Sequence, residues 1–449
     1  MKASVVFITV LLLWSQASCQ LSRSNTDPQH EVCPATASDS MPTVNHSEQL
    51  DHDRQPEVEE VETVYLEKSE IKKVAYGLNG FSLDVARKLR DRLGPNYVIS
   101  PLGVAINLSM TLNGANGETK DEIIKVLGLT QDDNTVSLLN SFCNLISSSL
   151  NNPTDSGLSS LYTSYWIRDK FRIKDSFIET CRKQYHTSIY VRDLSTETTM
   201  REINDLVSQN TNGLINNFLS RPLNPSTNAA LLNTIYLKGK WDTPFKKGET
   251  KKEVFHNYDG SEGKCDMMIQ RKEGYQLKEF DNFRLIHFPM ESDRYGVDIL
   301  LPRKGKTVAE SLTELTSEKY TKWRNWCDRI GWDIIKIPKW EIESETLFKP
   351  TLQRLGLRSL FDSEADLSGI TDQEPFFIGD IMQKAKFIVN EEGAEAAAAT
   401  MDMAVGSTFD GPKKTQPTEL IIDRPFMYIL TDTRTNTILF VGEIRKFDP

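Results

Sequence analysis

Two groups of residues near the C-terminus could take part in chemistry. The first is Asn390-Glu391-Glu392-Gly393-Ala394-Glu395-Ala396-Ala397-Ala398-Ala399-Thr400, and the second is the basic dipeptide of Lys413-Lys414-Thr415. A tether ending in a basic dipeptide suggests a segment that something cuts, so the chemistry on offer is cleavage of this chain by another enzyme. An alanine tract ordinarily reads as helix, because alanine has the highest helix propensity. Here it runs into Met401–Gly411, a low-charge stretch with no period, and then into Pro412 and Pro417. Small side chains on a tether ending in a cleavable pair describe a segment that enters a tight space once it is cut.

No enzyme chemistry of its own is apparent. Of six histidines, His30, His46 and His52 lie in a polar N-terminal stretch, which leaves His186, His256 and His287. The sequence has no HExxH, no P-loop, no GxSxG and no GxGxxG, so neither a catalytic triad nor a zinc site is expected. No cofactor or metal is assigned. The spacings of Cys19, Cys33, Cys143, Cys181, Cys265 and Cys327 are too wide for CxxC motifs. They read as buried or isolated thiols with at most two bridges. The net charge of −10 argues against a nucleic-acid partner, which would favour clustered basic residues.

The elements that must position the tether start well inside the chain. Met1-Lys2, the apolar Val5–Trp14 and Ala17-Ser18-Cys19 read as a signal peptide over residues 1–19, too short to span a membrane. The protein is therefore expected to be secreted and extracellular. Residues 20–70 are polar and acidic and read as a disordered extension. Within it, Asn45-His46-Ser47 reads as a glycosylation site on Asn45, whereas Asn107-Leu108-Ser109 lies in an apolar helical pattern and is expected to be buried. The acidic run Glu57–Tyr65 reads as a solvated linker, with a tail that binds a basic patch on a protease as the alternative.

Leu78, Phe81, Val85, Leu89 and Leu93 recur at helical spacing until Gly94-Pro95. Strand candidates are Ala230–Leu237, Leu285–Pro289, Val297–Leu301, Ile334–Ile337 and Phe426–Leu430. Strands mixed with helices, without βαβ alternation, predict an α+β fold. No linker-like composition divides residues 71–449, which are read as one large domain.

Several motifs together resemble the serpins. Asn96–Gly103, Leu112–Thr119, Ile203-Asn204 with Thr211-Asn212-Gly213, Asn233–Trp241, Asp423–Phe426 and Ile438–Ile444 are similar to family segments in order and spacing. The resemblance implies a large central sheet, about nine helices and an exposed reactive-centre loop over about 391–424. It identifies Glu391 through Thr400 as the hinge, and Asn233, Lys238, Gly239 and Trp241 with the breach, the place where the loop enters the sheet. One departure is Gln383, where many members carry histidine just before the Lys-Ala pair. It implies altered hydrogen bonding with no loss of mechanism.

The family implies a suicide-substrate inhibitor, monomeric, that forms a covalent complex with a serine protease. A strand has a side-chain period of two, so counting from Gly393 places Ala394, Ala396, Ala398 and Thr400 inward and Glu395 outward. Asp402 would also point inward, against the cost of a buried charge. Counting back eleven residues from Pro425 reaches Lys414, whereas counting forward from the hinge reaches Ser407, because the loop is longer than in typical members. Lys414-Thr415 is the preferred reactive bond and Lys413 the neighbouring candidate. A glycosaminoglycan partner has only scattered basic residues to rest on, since 134–160, where related inhibitors often carry the site, has none. Likeness to arthropod haemolymph serpins implies an extracellular cascade such as melanisation or Toll signalling in innate immunity. The alternative is a non-inhibitory serpin acting as carrier or chaperone.

Overall fold

The computed structural model describes residues 66–151, 157–271, 275–291, 294–325, 328–330, 334–393 and 419–449, with side chains excepted at 157–159, 237–238, 325 and 328–330. All of these fall within one compact unit, Thr63–Pro449. The signal segment, Asn45, the acidic run, Ala394–Thr400, Lys413, Lys414, Thr415, Cys19, Cys33 and Cys327 lie outside the described residues.

In chain order the elements begin with α1 (Lys68–Leu89), β1 (Tyr97–Ile99), α2 (Pro101–Leu112), α3 (Gly117–Val126), α4 (Thr135–Leu150), β2 (Gly157–Arg168), α5 (Asp175–Tyr185), β3 (Ser188–Arg192) and α6 (Glu197–Asn210). They continue with β4 (Ala229–Gly239), β5 (Lys251–His256), β6 (Glu262–Gln270), β7 (Tyr275–Glu279), β8 (Phe283–Pro289), β9 (Tyr295–Pro302), α7 (Val308–Glu314) and α8 (Ser317–Asn325). Last come β10 (Asp328–Ile330), β11 (Ile334–Pro338), β12 (Trp340–Leu347), α9 (Lys349–Leu355), β13 (Ile378–Val389), β14 (Glu419–Ile421), β15 (Phe426–Asp432) and β16 (Thr437–Ile444). The nine helices and sixteen strands among the described residues make an α+β fold.

Each strand expected from the sequence is present, extended by one to three residues. Helix α1 differs at both ends. It starts at Lys68, three residues before Ile71, because Glu67 and Glu70 form a reciprocal capping box. It stops at Leu89, before Leu93, where Arg445 donates to Arg90 O (3.3 Å) and Gly94 O (2.7 Å) and so satisfies carbonyls at the helix end. Leu93 still packs against the core.

The strands form a five-stranded sheet (β12-β13-β4-β2-β3), a seven-stranded sheet (β1-β16-β15-β9-β8-β7-β10) and a four-stranded sheet (β14-β11-β6-β5). Helix α2 has every residue buried, as expected for a helix that is apolar all round. It packs on β16 on one side and on β4 and β13 on the other, so it lies between the two larger sheets. Ser100 caps it, accepting from Gly103 N at 3.2 Å, and Pro101 opens it. The opposite face of the five-stranded sheet is covered by α6 and the segment after it, through Ile203, Val207, Phe218, Leu232 and Met382. Among the described residues no helix is long and apolar enough to cross a membrane.

Within the seven-stranded sheet the packing is closest around β16 and its neighbours β1 and β15. A Cβ on Gly442 would overlap the Tyr428 ring and stand 2.5 Å from Tyr97 O. Gly442→Ala is expected to cost about 3 kcal/mol, the upper end for overpacking a core. Chemical denaturation should show this as a lowered midpoint with an unchanged slope.

Candidate functional site

Strands β13 and β4 lie side by side and parallel, registered from Ile378 with Ala229 to Lys386 with Tyr236. No strand lies between them over that span. Parallel neighbours in a sheet whose other neighbours are mostly antiparallel form a seam, because parallel pairing is slightly less stable per residue. A buried polar knot fastens its middle. Gln383 Oε1 accepts from Ser100 N (2.7 Å), and Gln383 Nε2 donates to Ser100 O and to Asn233 Oδ1 (2.8 Å each). Since Ser100 caps α2, the knot ties that helix to both seam strands. Asn233 Nδ2 has no acceptor among the described residues.

Past Lys386 the two strands part, and the chain leaving β13 turns back on itself. Asn390 N donates to Gly393 O (2.9 Å) and Gly393 N donates to Asn390 O (3.3 Å), which closes a two-residue hairpin over Glu391-Glu392. Asn390 Oδ1 accepts from Glu392 N (3.0 Å) and Gly393 N (3.2 Å). Gly393 has φ +140 and bridges to Lys240, and a Cβ there would stand 2.5 Å from Lys240 Cα. Only glycine fits such a position. Trp241 secures the turn from below. Its N donates to Glu392 O (3.0 Å) and its indole Nε1 to Asn390 O (2.9 Å), while its ring packs 6.0 Å from Phe245 and from Phe288.

The two hinge carboxylates are both held. Glu391 is buried, accepts from Thr250 Oγ1 (2.9 Å) and pairs with Lys339 (3.1 Å), while Phe245 N donates to its carbonyl (2.7 Å). Burial works to raise the Glu391 carboxyl, but its own backbone N–H, Thr250 and Lys339 together outweigh that and hold it below the ordinary glutamate value. Glu392 pairs with Lys247, whose ammonium is raised by that hydrogen bond. The hinge is thus pinned by a lysine on each side.

Residues 76–447 match the family model described as Serpin (serine protease inhibitor). The chain belongs to the serpin family. Iripin-1 of Ixodes ricinus is 30% identical over 381 residues, covering 83% of this chain and 95% of that protein. Serpin48 of the insect Tenebrio molitor superposes with a TM-score of 0.72 at 25% identity, covering 86% of this chain and all of that one. Human thyroxine-binding globulin, solved with thyroxine, gives a TM-score of 0.75 at 23% identity over 85% of this chain and all of its own. The last likeness concerns the fold alone.

The sequence-expected residues of this serpin do not all converge. Glu391, Glu392 and Gly393 meet Gly239 and Trp241 at one junction. Lys238 lies in β4 opposite Leu158. Asn233 sits six residues below Gly239, about 20 Å down an extended strand, in the knot with Gln383. Sequence reading did not find Thr250, Lys247 or Lys339, because their hinge partners lie up to 145 residues away. The basic pairs around Thr250 were the available signal.

The three remaining histidines occupy unrelated places. His186 Nε2 lies 3.0 Å from Ser148 Oγ, and His256 is 3.8 Å from Glu262 on β6. His287 is buried against Asp298 (2.6 Å), a carboxylate also contacted by Tyr320, Thr431 and Arg324. That is a structural knot with its acceptor capacity used up. Asn107 is fully buried, as expected. Cys143, Cys181 and Cys265 are free and buried, and burial pushes each thiol up to about 12.

Because the Glu391 carboxyl is depressed in the fold, its contribution is present above the unfolded value and is lost as pH falls through the lower folded one. Glu391→Gln should free the hinge at neutral pH by about 1–2 kcal/mol. Hydrogen exchange at the Phe245 and Trp241 amides would then quicken about tenfold. In the unaltered protein the protection of the same amides, measured relative to the intrinsic exchange rate at each pH, should fall only on acidification below the ordinary glutamate range.

Proposed function

We propose that this serpin is a secreted suicide-substrate inhibitor of a trypsin-like serine protease, cleaved at Lys414-Thr415. The observation that carries this reading is the hairpin at Asn390–Gly393, which is already turned toward the seam. Were that register continued, Ala394 would come opposite Val389, Ala396 opposite Phe387, Ala398 opposite Ala385 and Thr400 opposite Gln383. Those four β13 residues are buried, so the same face of an added strand would be buried too. Small side chains suit it.

The tether would run antiparallel to both seam strands. Eight parallel pairs would be exchanged for two antiparallel ladders, with more backbone hydrogen bonds made than lost. Thr400 would arrive between Gln383 and Asn233, offering its hydroxyl to the unpaired Asn233 Nδ2. Gln383 thus keeps a workable seam where histidine is usual. One step further, Asp402 would come opposite Ile381 beside Leu231, both fully buried, so insertion meets resistance beyond Thr400.

In the chemical step the protease serine attacks the Lys414 carbonyl, the amine of Thr415 leaves with a proton from the catalytic histidine, and an acyl ester remains. The sheet then takes up the hinge before water cleaves that ester. Strand addition of this kind is a recognised serpin switch. The long stretch from Thr400 to Lys414 gives the captured enzyme slack, which favours a less durable trap. Secretion, glycosylation at Asn45 and a role in a cascade such as melanisation or Toll signalling belong to the same reading and rest on the sequence.

A second reading, a carrier without inhibitory action, is favoured by a cavity of about 580 Å³ between α1, α8 and the β15–β16 turn. Lys68, Lys72, Arg324 and Arg434 line it and no carboxylate does, so it suits a small amphipathic anion. Thyroxine-binding globulin shows that a serpin fold can serve such a role.

Incubation with trypsin separates the two. The inhibitor is expected to yield an SDS-stable complex and a C-terminal fragment beginning at Thr415 by mass spectrometry. Clean cleavage with full protease activity would instead support the carrier. Ala398→Glu should convert the inhibitor into a plain substrate, since a carboxylate would have to enter the core. Lys414→Ala should slow trypsin inhibition at least a hundredfold, and an unchanged rate would move the bond to Lys413.

A further inference from the structure

Strand β5 runs from one foot of the loop to the other. At the near end Thr250, the residue before β5, donates to Glu391 of the hinge at 2.9 Å. At the far end His256 N donates to Asp423 O at 2.8 Å, two residues beyond β14, the strand into which the loop returns. Midway, Glu253 pairs with Lys336 (3.1 Å), which itself lies 4.0 Å from Glu419 at the start of β14. Six extended residues make this base about 20 Å long. A standard protein interface covers about 800 Å² on each partner, more than a few loop residues in a cleft can supply. An enzyme seated on the loop therefore also rests on whatever the base exposes.

What it exposes is cationic with an apolar centre. Lys246, Lys247, Lys251 and Lys252 are all exposed. Lys247 is taken up by Glu392 and Lys252 by Asp266 (3.1 Å), whereas Lys246 and Lys251 have no ion pair among the described residues. The acids within the stretch are already paired, Glu249 with Arg271 (3.2 Å) and Glu253 with Lys336. Val254 is 42% exposed. On the sheet order β5 is an edge strand.

We propose that the stretch Lys246–His256 is a second contact surface for the protease held on the loop, and that it selects trypsin-like enzymes with carboxylates around the rim of the active-site cleft. The proposal rests on the inhibitory reading above. Rim charges act mainly on association rate and its salt dependence, so the surface sets which enzyme arrives first and leaves the chemistry at the loop unchanged.

Anionic and cationic trypsins share a specificity pocket and differ in surface charge, so the pair isolates the effect. In full-length Lys246→Glu/Lys251→Glu protein, association with anionic trypsin should slow at least tenfold and lose its salt dependence, while cationic trypsin is inhibited as fast or faster. Stoichiometry and the unfolding midpoint should match the unaltered protein, and the milder Lys246→Ser/Lys251→Ser variant should show the same order of effects. Equal rates for both trypsins in all three proteins would overturn the proposal. Absence of any covalent complex with the unaltered protein would instead overturn the inhibitory reading.

Discussion

The seam between β13 and β4 is the constraint on which the rest of the molecule depends. Two parallel strands are held together along eight registered pairs, with a single polar knot at their centre. Everything around the seam resists its opening. Helix α2 is tied to it from beneath through Ser100, and α6 with its following segment lies over it from above. The chain leaving β13 turns back at Asn390–Gly393, at the end of the seam.

The segment Asn390–Gly393 is held by two kinds of contact. The backbone bonds to Trp241 and Phe245 give it a fixed geometry, while Lys339 and Lys247 give it a hold that water and salt can weaken. Lys339 and Lys247 are largely exposed, whereas Glu391 is buried. The burden of the clamp therefore falls on Glu391, the residue with the least access to replacement partners.

Much of this was legible in the sequence wherever a local rule applied. The strands around Ala230–Leu237 and Phe426–Leu430 follow from residue pattern alone. The clamp was not legible, because Thr250, Lys247 and Lys339 reach the hinge only after the chain has folded across three sheets. Asn233 was grouped with Trp241 because they share one motif, but an extended strand carries its two ends far apart. Leu93 kept the helical spacing of α1 after the helix had ended, because a side chain from the far end of the chain, Arg445, capped it early. Periodicity records which face is buried and leaves the distant partners unstated.

The three buried thiols bear on how the molecule would respond to an oxidising medium. Burial holds each thiol well above its ordinary value, so the thiol form is strongly favoured at neutral pH. Disulfide exchange proceeds through the thiolate and needs access to it, and Cys143, Cys181 and Cys265 offer neither. An oxidising fluid would therefore leave these sulfurs unscrambled for as long as the core stays closed. Redox ageing at these positions would then play no part in the protein's working life.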